Sequence, residues 1–155
     1  MPDFLAVDPG VRTGVALMNY YHDTPVRLLL ATDVGGGVEG FIEWIDAYQP
    51  ATLEFIVYED FILREGKHGV ELEPLKVIGA LHVLAHELEI PLHSQPPSGR
   101  LKAVNDEALN RLGMRFSGNK DRNVKEAARH GVWWMKRQGH VPTIKTAWPP
   151  DREEI

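Results

Sequence analysis

The sequence predicts an α/β domain built on one mixed five-stranded sheet with helices on both faces. Three observations predict it. Three short apolar stretches joined by tight turns open the chain, the pattern of an antiparallel meander. Helix-like and strand-like segments then alternate, which calls for strands joined through helices packed on the sheet. The chain is 155 residues and 17.5 kDa, enough for one domain with a core of its own.

The elements follow in order. Residues 4–7 form an apolar run that ends in the turn sequence Asp8-Pro9-Gly10. Residues 13–20 alternate around small and β-branched side chains and predict a second strand. The turn Asp23-Thr24-Pro25 leads to a third strand over 26–31. Gly35-Gly36-Gly37 interrupts the chain, after which Phe41, Ile42, Trp44, Ile45 and Tyr48 recur at helical spacing and stop before Pro50. Residues 52–58 read as a buried strand. Phe61-Ile62-Leu63 precedes a polar loop over 64–69. Leu72, Leu75, Ile78, Leu81, Leu84, Ala85 and Leu88 form a long helical stripe. A short strand over 90–94 leads into the loop Gln95-Pro96-Pro97-Ser98-Gly99. Ser98 is placed to cap a helix carrying Leu101, Val104, Ala108, Leu109 and Leu112. A polar connector over 113–120 precedes the last helix, 121–138. Residues 141–155 hold three Pro and are expected to close the chain as a tail. No repeat or linker divides the sequence, so residues 1–155 are expected to form a single domain with its core over about 3–137.

Composition narrows the function classes. Apolar residues are 43% and charged residues 25%, which excludes a disordered chain or a collagen-like repeat. Cys is absent, so disulfides, thiolate metal sites and a Cys nucleophile are excluded. No apolar run approaches the roughly 20 residues that span a bilayer. The N-terminal residues lack a basic stretch followed by an apolar one, and a soluble cytoplasmic protein is expected. The net charge of −5 is unevenly spread. Residues 1–97 carry 5 Lys and Arg against 15 Asp and Glu, a net of −10; residues 98–155 carry 12 against 7, a net of +5. A basic segment on an acidic chain is either a footprint for a polyanion or a pair of solvated helices.

Three acidic positions carry the chemistry. Asp8 ends the first strand beside a Gly turn, with Gly14 keeping the second strand narrow there; an Asp before Pro also starts ordinary turns. Glu59 and Asp60 close the apolar strand, and period two allows only one of them to share a face with Asp8. The alternative is a solvated strand end. Glu126 lies in the last helix, with Asn123 at i−3 and His130 at i+4 on its face, and Arg122, Lys125 and Arg129 beside it. On this helix alone a polar surface face explains them better. If the two strands are neighbours and the helix crosses their ends, Asp8, Glu59 and Glu126 converge. Such hard-oxygen donors suit Mg2+ or Mn2+ rather than structural zinc. Two such ions about 3.5–4 Å apart support in-line displacement at phosphorus.

The segment Phe4-Leu5-Ala6-Val7-Asp8-Pro9-Gly10-Val11-Arg12-Thr13-Gly14 resembles the first-strand motif of RuvC-type Holliday junction resolvases, in the ribonuclease H-like superfamily. Ile56-Val57-Tyr58-Glu59 resembles the family's fourth-strand acid, and residues 123–130 resemble its last-helix motif. The likeness covers roughly 3–137. It implies a ribonuclease H-like fold and a metal-dependent, structure-selective endonuclease on branched DNA, working as a homodimer with two Mg2+ or Mn2+ ions per site. By this resemblance Asp8 would bridge both ions, Glu59 would hold one and Glu126 the other, with Asn123 at the helix's first ligand position. Lys102 matches a basic residue near the scissile phosphate; a helix-start lysine is the plain alternative. Phe61 and Ile62 fall where the family wedges a side chain into the junction, or they simply continue the strand. The helix over 72–88 matches the dimer contact. Arg100, Lys102, Lys120, Arg122, Lys125 and Arg129 are the basic residues expected to face DNA.

The departures are specific. The family has Asp or His where this chain has Asn123, and Glu126 is longer than the usual Asp. Asp121 and His130 stand near enough in sequence to compensate. The segment 105–119 leaves no place for the family's Gly-containing loop and second lysine. The small size and these departures fit a phage-encoded variant. Two other functions remain on the sequence: a branched-DNA binding module that has lost catalysis, motivated by Asn123, and a related nuclease acting on RNA or flaps. A nucleotide-closing kinase or ATPase needs a second domain, for which 155 residues leave little room.

Overall fold

The computed structural model describes residues 3–48, 52–61, 72–97 and 103–150. Five strands form one sheet: β1 (Asp3–Asp8), β2 (Thr13–Asn19), β3 (Arg27–Val34), β4 (Leu53–Glu59) and β5 (Leu92–Gln95). The helices are α1 (Gly37–Tyr48), α2 (Glu73–Leu88), α3 (Asp106–Arg111), α4 (Arg122–Arg137) and α5 (Val141–Ala147), with a 3-10 turn at Gly118–Asp121. The sheet order is β3-β2-β1-β4-β5. The first three strands pair antiparallel, and β4 joins β1 and β5 in parallel, as the mixed sheet expected from sequence requires. β1 is central and flanked on both faces, so Phe4, Leu5, Ala6 and Val7 are all fully buried and read as one continuous apolar run.

Period two sorts the core into two halves. Phe4, Ala6, Ala16, Met18, Phe55 and Val57 face α3, α4 and α5. Leu5, Val7, Val15, Leu17, Ile56 and Tyr58 face α1 and α2, where Phe41, Val77, Ile78, Leu81 and Ala85 complete the layer. Gly36 and Gly37 have φ of 87° and 62°, so the glycine run is the turn that enters α1 rather than a spacer before it. Glu73 in the first turn of α2 accepts from the backbone N–H of Val38 at 3.1 Å and ties the start of α1 to α2.

Two expectations change. The C-terminal residues do not form a plain tail: residues 141–147 are α5, with Pro142 in the first turn, where its missing N–H costs nothing. Ala147 and Thr143 are fully buried, and Thr143 Oγ1 accepts from the N–H of Val26 at 2.9 Å. α5 thus closes the α4 side of the core. Of the helix expected from Ser98 onward, the described residues show Ala103 as helical, then a break at 104–105 and the short α3, capped by Asn105 Oδ1 accepting from the N–H of Ala108 at 2.9 Å. Ser98 and Leu101 lie outside the described residues. No helix among the described residues is long and apolar enough to cross a membrane.

Asp106, in the first turn of α3, ties that helix to α4. It accepts from Lys125 Nζ at 2.8 Å and from Arg129 Nη2 at 2.9 Å, and these hydrogen bonds hold its carboxyl below the usual carboxylate range. A depressed carboxyl stabilises the fold above its unfolded value, about 3.9, and that contribution is lost as the pH falls through the folded value. Asp106→Asn is therefore expected to lower the melting temperature at pH 7. The gap to wild type should narrow as the pH is taken below about 4. A thermal melt series across pH checks this; a gap independent of pH contradicts it.

Candidate active site

β1 and β4 run in the same direction with Val7 opposite Tyr58, so Asp8 and Glu59 close the two strands at the same end of the sheet. Ala6 and Val57 face α4, and alternation puts Asp8 and Glu59 on that face as well. This settles which acid of the Glu59-Asp60 pair joins Asp8. Asp60 starts the next segment instead, and its Oδ1 accepts from the N–H of Phe61 at 2.9 Å.

α4 is laid across these ends by small residues. Gly14 is the register partner of Asp8, and a Cβ there would run into the backbone carbonyl of Asn123. The first turn of α4 therefore rests backbone on backbone against β2. Further along, Gly131 leaves no room for a Cβ against Met18, and Ala6 Cβ would lie only 3.3 Å from it. Between these seats, His130 reaches β4: its Nε2 is 3.0 Å from Glu59 Oε2. Glu126 lies between Asn123 and His130 on the same helix face. Its Oε1 is 3.5 Å from the Nε of Arg129.

His130 is fully buried and both of its ring nitrogens are engaged. Gln95 Nε2 lies 3.1 Å from Nδ1 and donates to the His130 carbonyl at 2.9 Å. Arg137 Nη1 donates to Gln95 Oε1 at 3.3 Å. A carbonyl only accepts and a guanidinium only donates, so these two neighbours fix which end of the amide faces the ring. The amide N–H donates to Nδ1, and the ring proton sits on Nε2, directed at Glu59. Gln95 ends β5, directly beside Glu59 in the register. Sequence reading placed it in a loop; the available signal was its position closing a strand next to the acid. His130, grouped with Glu126 by helical spacing, serves Glu59 instead. Asp121, the other residue near the ligand position, is committed to the turn before α4, where its Oδ2 accepts from the N–H of Ser117 at 2.6 Å.

The donors at this end are the carboxylates of Asp8, Glu59 and Glu126 and the amide of Asn123, in a chain without Cys. That is an oxygen set matching the preference of Mg2+ and Mn2+. Among the described residues, no three His, Asp or Glu side chains are drawn together closely enough to hold an ion as they stand. The chemistry fits such an ion, and the strand ends and helix face supply it from one side.

The residues expected to face DNA divide. Arg129 is corrected by the structure: its side chain is only 2% exposed, and it donates to the Val104 carbonyl and to Asp106. It braces α3 against α4 and offers nothing to a phosphate. Lys125 is paired with Asp106. Lys120 and Arg122 are exposed beside the start of α4. Lys120 lines a recess of about 520 Å³ together with Arg12 and Arg115, two cations that the basic segment did not single out there. Arg12 is paired with Asp33 at 2.9 Å on the wall of that recess. Phe61 is half-buried and packs on the α1/α2 side of the core, continuing β4 inward. Ile62, Arg100 and Lys102 lie outside the described residues.

No protein-family model matches the sequence, and no curated protein sequence does. Solved structures do. RuvC of T. thermophilus in complex with a Holliday junction substrate has a TM-score of 0.65 at 16% identity, over 90% of this chain and 98% of that one. The fold is that of the RuvC-type resolvases. The yeast mitochondrial Holliday junction resolvase Ydc2 matches at a TM-score of 0.63 and 15% identity, over 90% of this chain and 80% of that one. Fowlpox virus resolvase with substrate Holliday junction DNA matches at 0.60 and 11%, over 86% and 99%. The RuvC-like fold accounts for the ribonuclease H-like sheet read from sequence. At these identities the likeness shows the fold.

Proposed function

We propose that the protein is a metal-dependent, structure-selective endonuclease of branched DNA. The observation that carries this is the pairing of Asp8 and Glu59 at adjacent strand ends beneath α4, which brings Glu126 and Asn123 over the same face. Proteins named as Holliday junction resolvases share the fold, two of them in structures with junction DNA, which supports the same substrate class here. Asp8, Glu59 and Glu126 would hold a pair of Mg2+ or Mn2+ ions, with Asn123 as a neutral fourth donor. Bound there, such ions supply an activated water and stabilise the charge that develops on the phosphate and the leaving oxygen. The chain's own part is to place the oxygens rigidly. Asp8 and Glu59 are set by the register of β1 and β4, and α4 is fixed by Gly14 and Gly131. Lys120, Arg122 and Arg115 lie beside this end and would meet DNA phosphates.

The test is cleavage of a labelled synthetic four-way junction with Mg2+ or Mn2+, run beside a flap and a structured RNA. Paired nicks in the junction are the expected result. Cleavage of the flap or RNA alone keeps the chemistry and moves the substrate. The second reading, a binding module without catalysis, is favoured by Asn123, whose amide is a weaker ligand than the acid or His of the family. It predicts junction binding without nicks in either metal.

Paired nicks need two sites, and we propose that two copies associate through α1 and α2. α2 buries Val77, Ile78, Leu81 and Ala85 on the sheet, yet leaves Leu72, Leu75 and Val83 exposed, Val83 at 58%. Ile42 and Ile45 of α1 line a largely apolar groove with Val83 and Leu84, with Asp46 and Glu87 also on its lining. A further carboxylate, placed at Val83 on the apolar part of that groove, should separate the copies, because an unpaired carboxylate resists burial. Val83→Glu is expected to sediment as a monomer and to lose the symmetry of nicking while keeping its fold. A dimer unaffected by this change places the contact elsewhere.

A further inference from the structure

We infer that His130 and Gln95 are positioning residues that fix the orientation of the Glu59 carboxylate for ion binding. This rests on the nuclease reading above and deepens it. Glu59 Oε2 faces His130 Nε2 at 3.0 Å, and the ring is fully buried, so it cannot turn to solvent. The ring is oriented in turn by Gln95, whose amide donates to Nδ1 and to the His130 carbonyl. Arg137 fixes the amide from the far side. The line Arg137, Gln95, His130, Glu59 joins the end of α4 to the end of β5 and then to the end of β4. A hydrogen bond donated to one carboxylate oxygen removes rotational freedom from a long side chain and sets the plane of the carboxylate. Glu59 needs that restraint because its χ angles exceed those of Asp8.

The geometry also explains why the histidine's donor role depends on Gln95, which ends the strand beside Glu59. A carboxamide offering its N–H to Nδ1 keeps the proton on Nε2, where Glu59 can accept it. An apolar side chain in place of Gln95 removes that preference. Partners of metal-binding side chains typically change metal affinity by about 10–100-fold when removed.

The experiment is calorimetric titration of Mn2+ alone, without DNA, into the full chain and its variants. His130→Leu is expected to bind Mn2+ at least tenfold more weakly. His130→Gln, whose side-chain amide can again donate to Glu59, is expected to recover most of the affinity. In junction cleavage His130→Leu should raise the Mn2+ concentration needed for half-maximal rate and leave KM for the junction unchanged. Because a buried ring is being replaced, Gln95→Met serves as a second variant that keeps the histidine. Nitrogen chemical shifts of His130 should show the proton on Nε2 in wild type, with a share moving to Nδ1 in Gln95→Met. Two results overturn the inference alone: Asp8→Asn loses Mn2+ while folded His130→Leu keeps it, or wild-type His130 carries its proton on Nδ1. Mn2+ binding that is absent in wild type, or unchanged in Asp8→Asn, overturns the nuclease reading and the inference with it.

Discussion

Asp8→Asn is expected to abolish junction cleavage, by at least about 10³-fold, while junction affinity stays within about twofold. The substitution replaces one oxygen by an amide nitrogen of nearly the same size. β1 stays in register with β2 and β4, and the Gly14–Asn123 seat is untouched. What is lost is a negative charge at the end of the central strand, next to Glu59 and under α4. Removing one group aimed at a developing transition state costs about 10²–10³-fold even where other groups remain, and an acid proposed to hold both ions would sit at the upper end. Binding draws on phosphate contacts by Lys and Arg elsewhere, and its salt dependence should be the same in both proteins. A mutant keeping a tenth of the wild-type rate removes Asp8 from the site. A mutant that loses binding in step with cleavage shows that the strand end was structural.

Gly14→Ala should be a strongly damaging one-carbon addition. The new methyl would overlap the carbonyl of Asn123 and sit 3.0 Å from the N–H nitrogen of Val124. All the atoms it meets are backbone, so no side chain can swing aside. Either α4 lifts from β2 or β2 bends away from the sheet. Overpacking of a close-packed interior costs about 1–3 kcal/mol, and an immovable partner puts this case near 3 kcal/mol. The shift is read as a lower urea midpoint with an unchanged slope. Cleavage should fall further than stability alone predicts, because lifting the first turn carries Asn123 and Glu126 away from Asp8. Gly79→Ala is the control. It lies in α2 with open space around a new Cβ, and it should stabilise by about 0.5–1 kcal/mol through helix propensity. Equal stabilities for the two variants contradict the close seat of α4.

The sheet and the two strand-end acids were legible because their signals are local. Continuous apolar runs marked β1 and β4, and the Asp-Pro-Gly turn marked where β1 stops. The choice between Glu59 and Asp60 was not legible. It depends on which face α4 covers, a property of the assembled layers. His130 shows the same limit. Helical spacing correctly put it on the face of Glu126, yet its partner comes from β4. The one signal for Gln95, its place closing a strand beside the acid, is hidden until the strand register is known, because a glutamine before two prolines looks like any loop residue. Arg129 misled for a related reason: a basic helix residue reads as surface, whereas here the short α3 folds over it and Asp106 and the Val104 carbonyl meet its charge. α5 was missed because three prolines suggest an irregular end, although one of them falls where a helix accepts it.

The seating of α4 has a bearing on motion. One helix touches β2 through Gly14, β1 through Gly131 and β4 through His130, and it is pinned to α3 by Arg129. Asp8, Glu59 and Glu126 consequently belong to a single cooperative unit, not to a hinged pair of lobes. Separating them requires breaking the packing of the central strand itself. In native-state hydrogen exchange, the amides beneath the site are expected to fall in the class that opens only with global unfolding. Under the proposed function, selectivity for one DNA shape over another would have to be exercised by bending the DNA to a floor that does not yield.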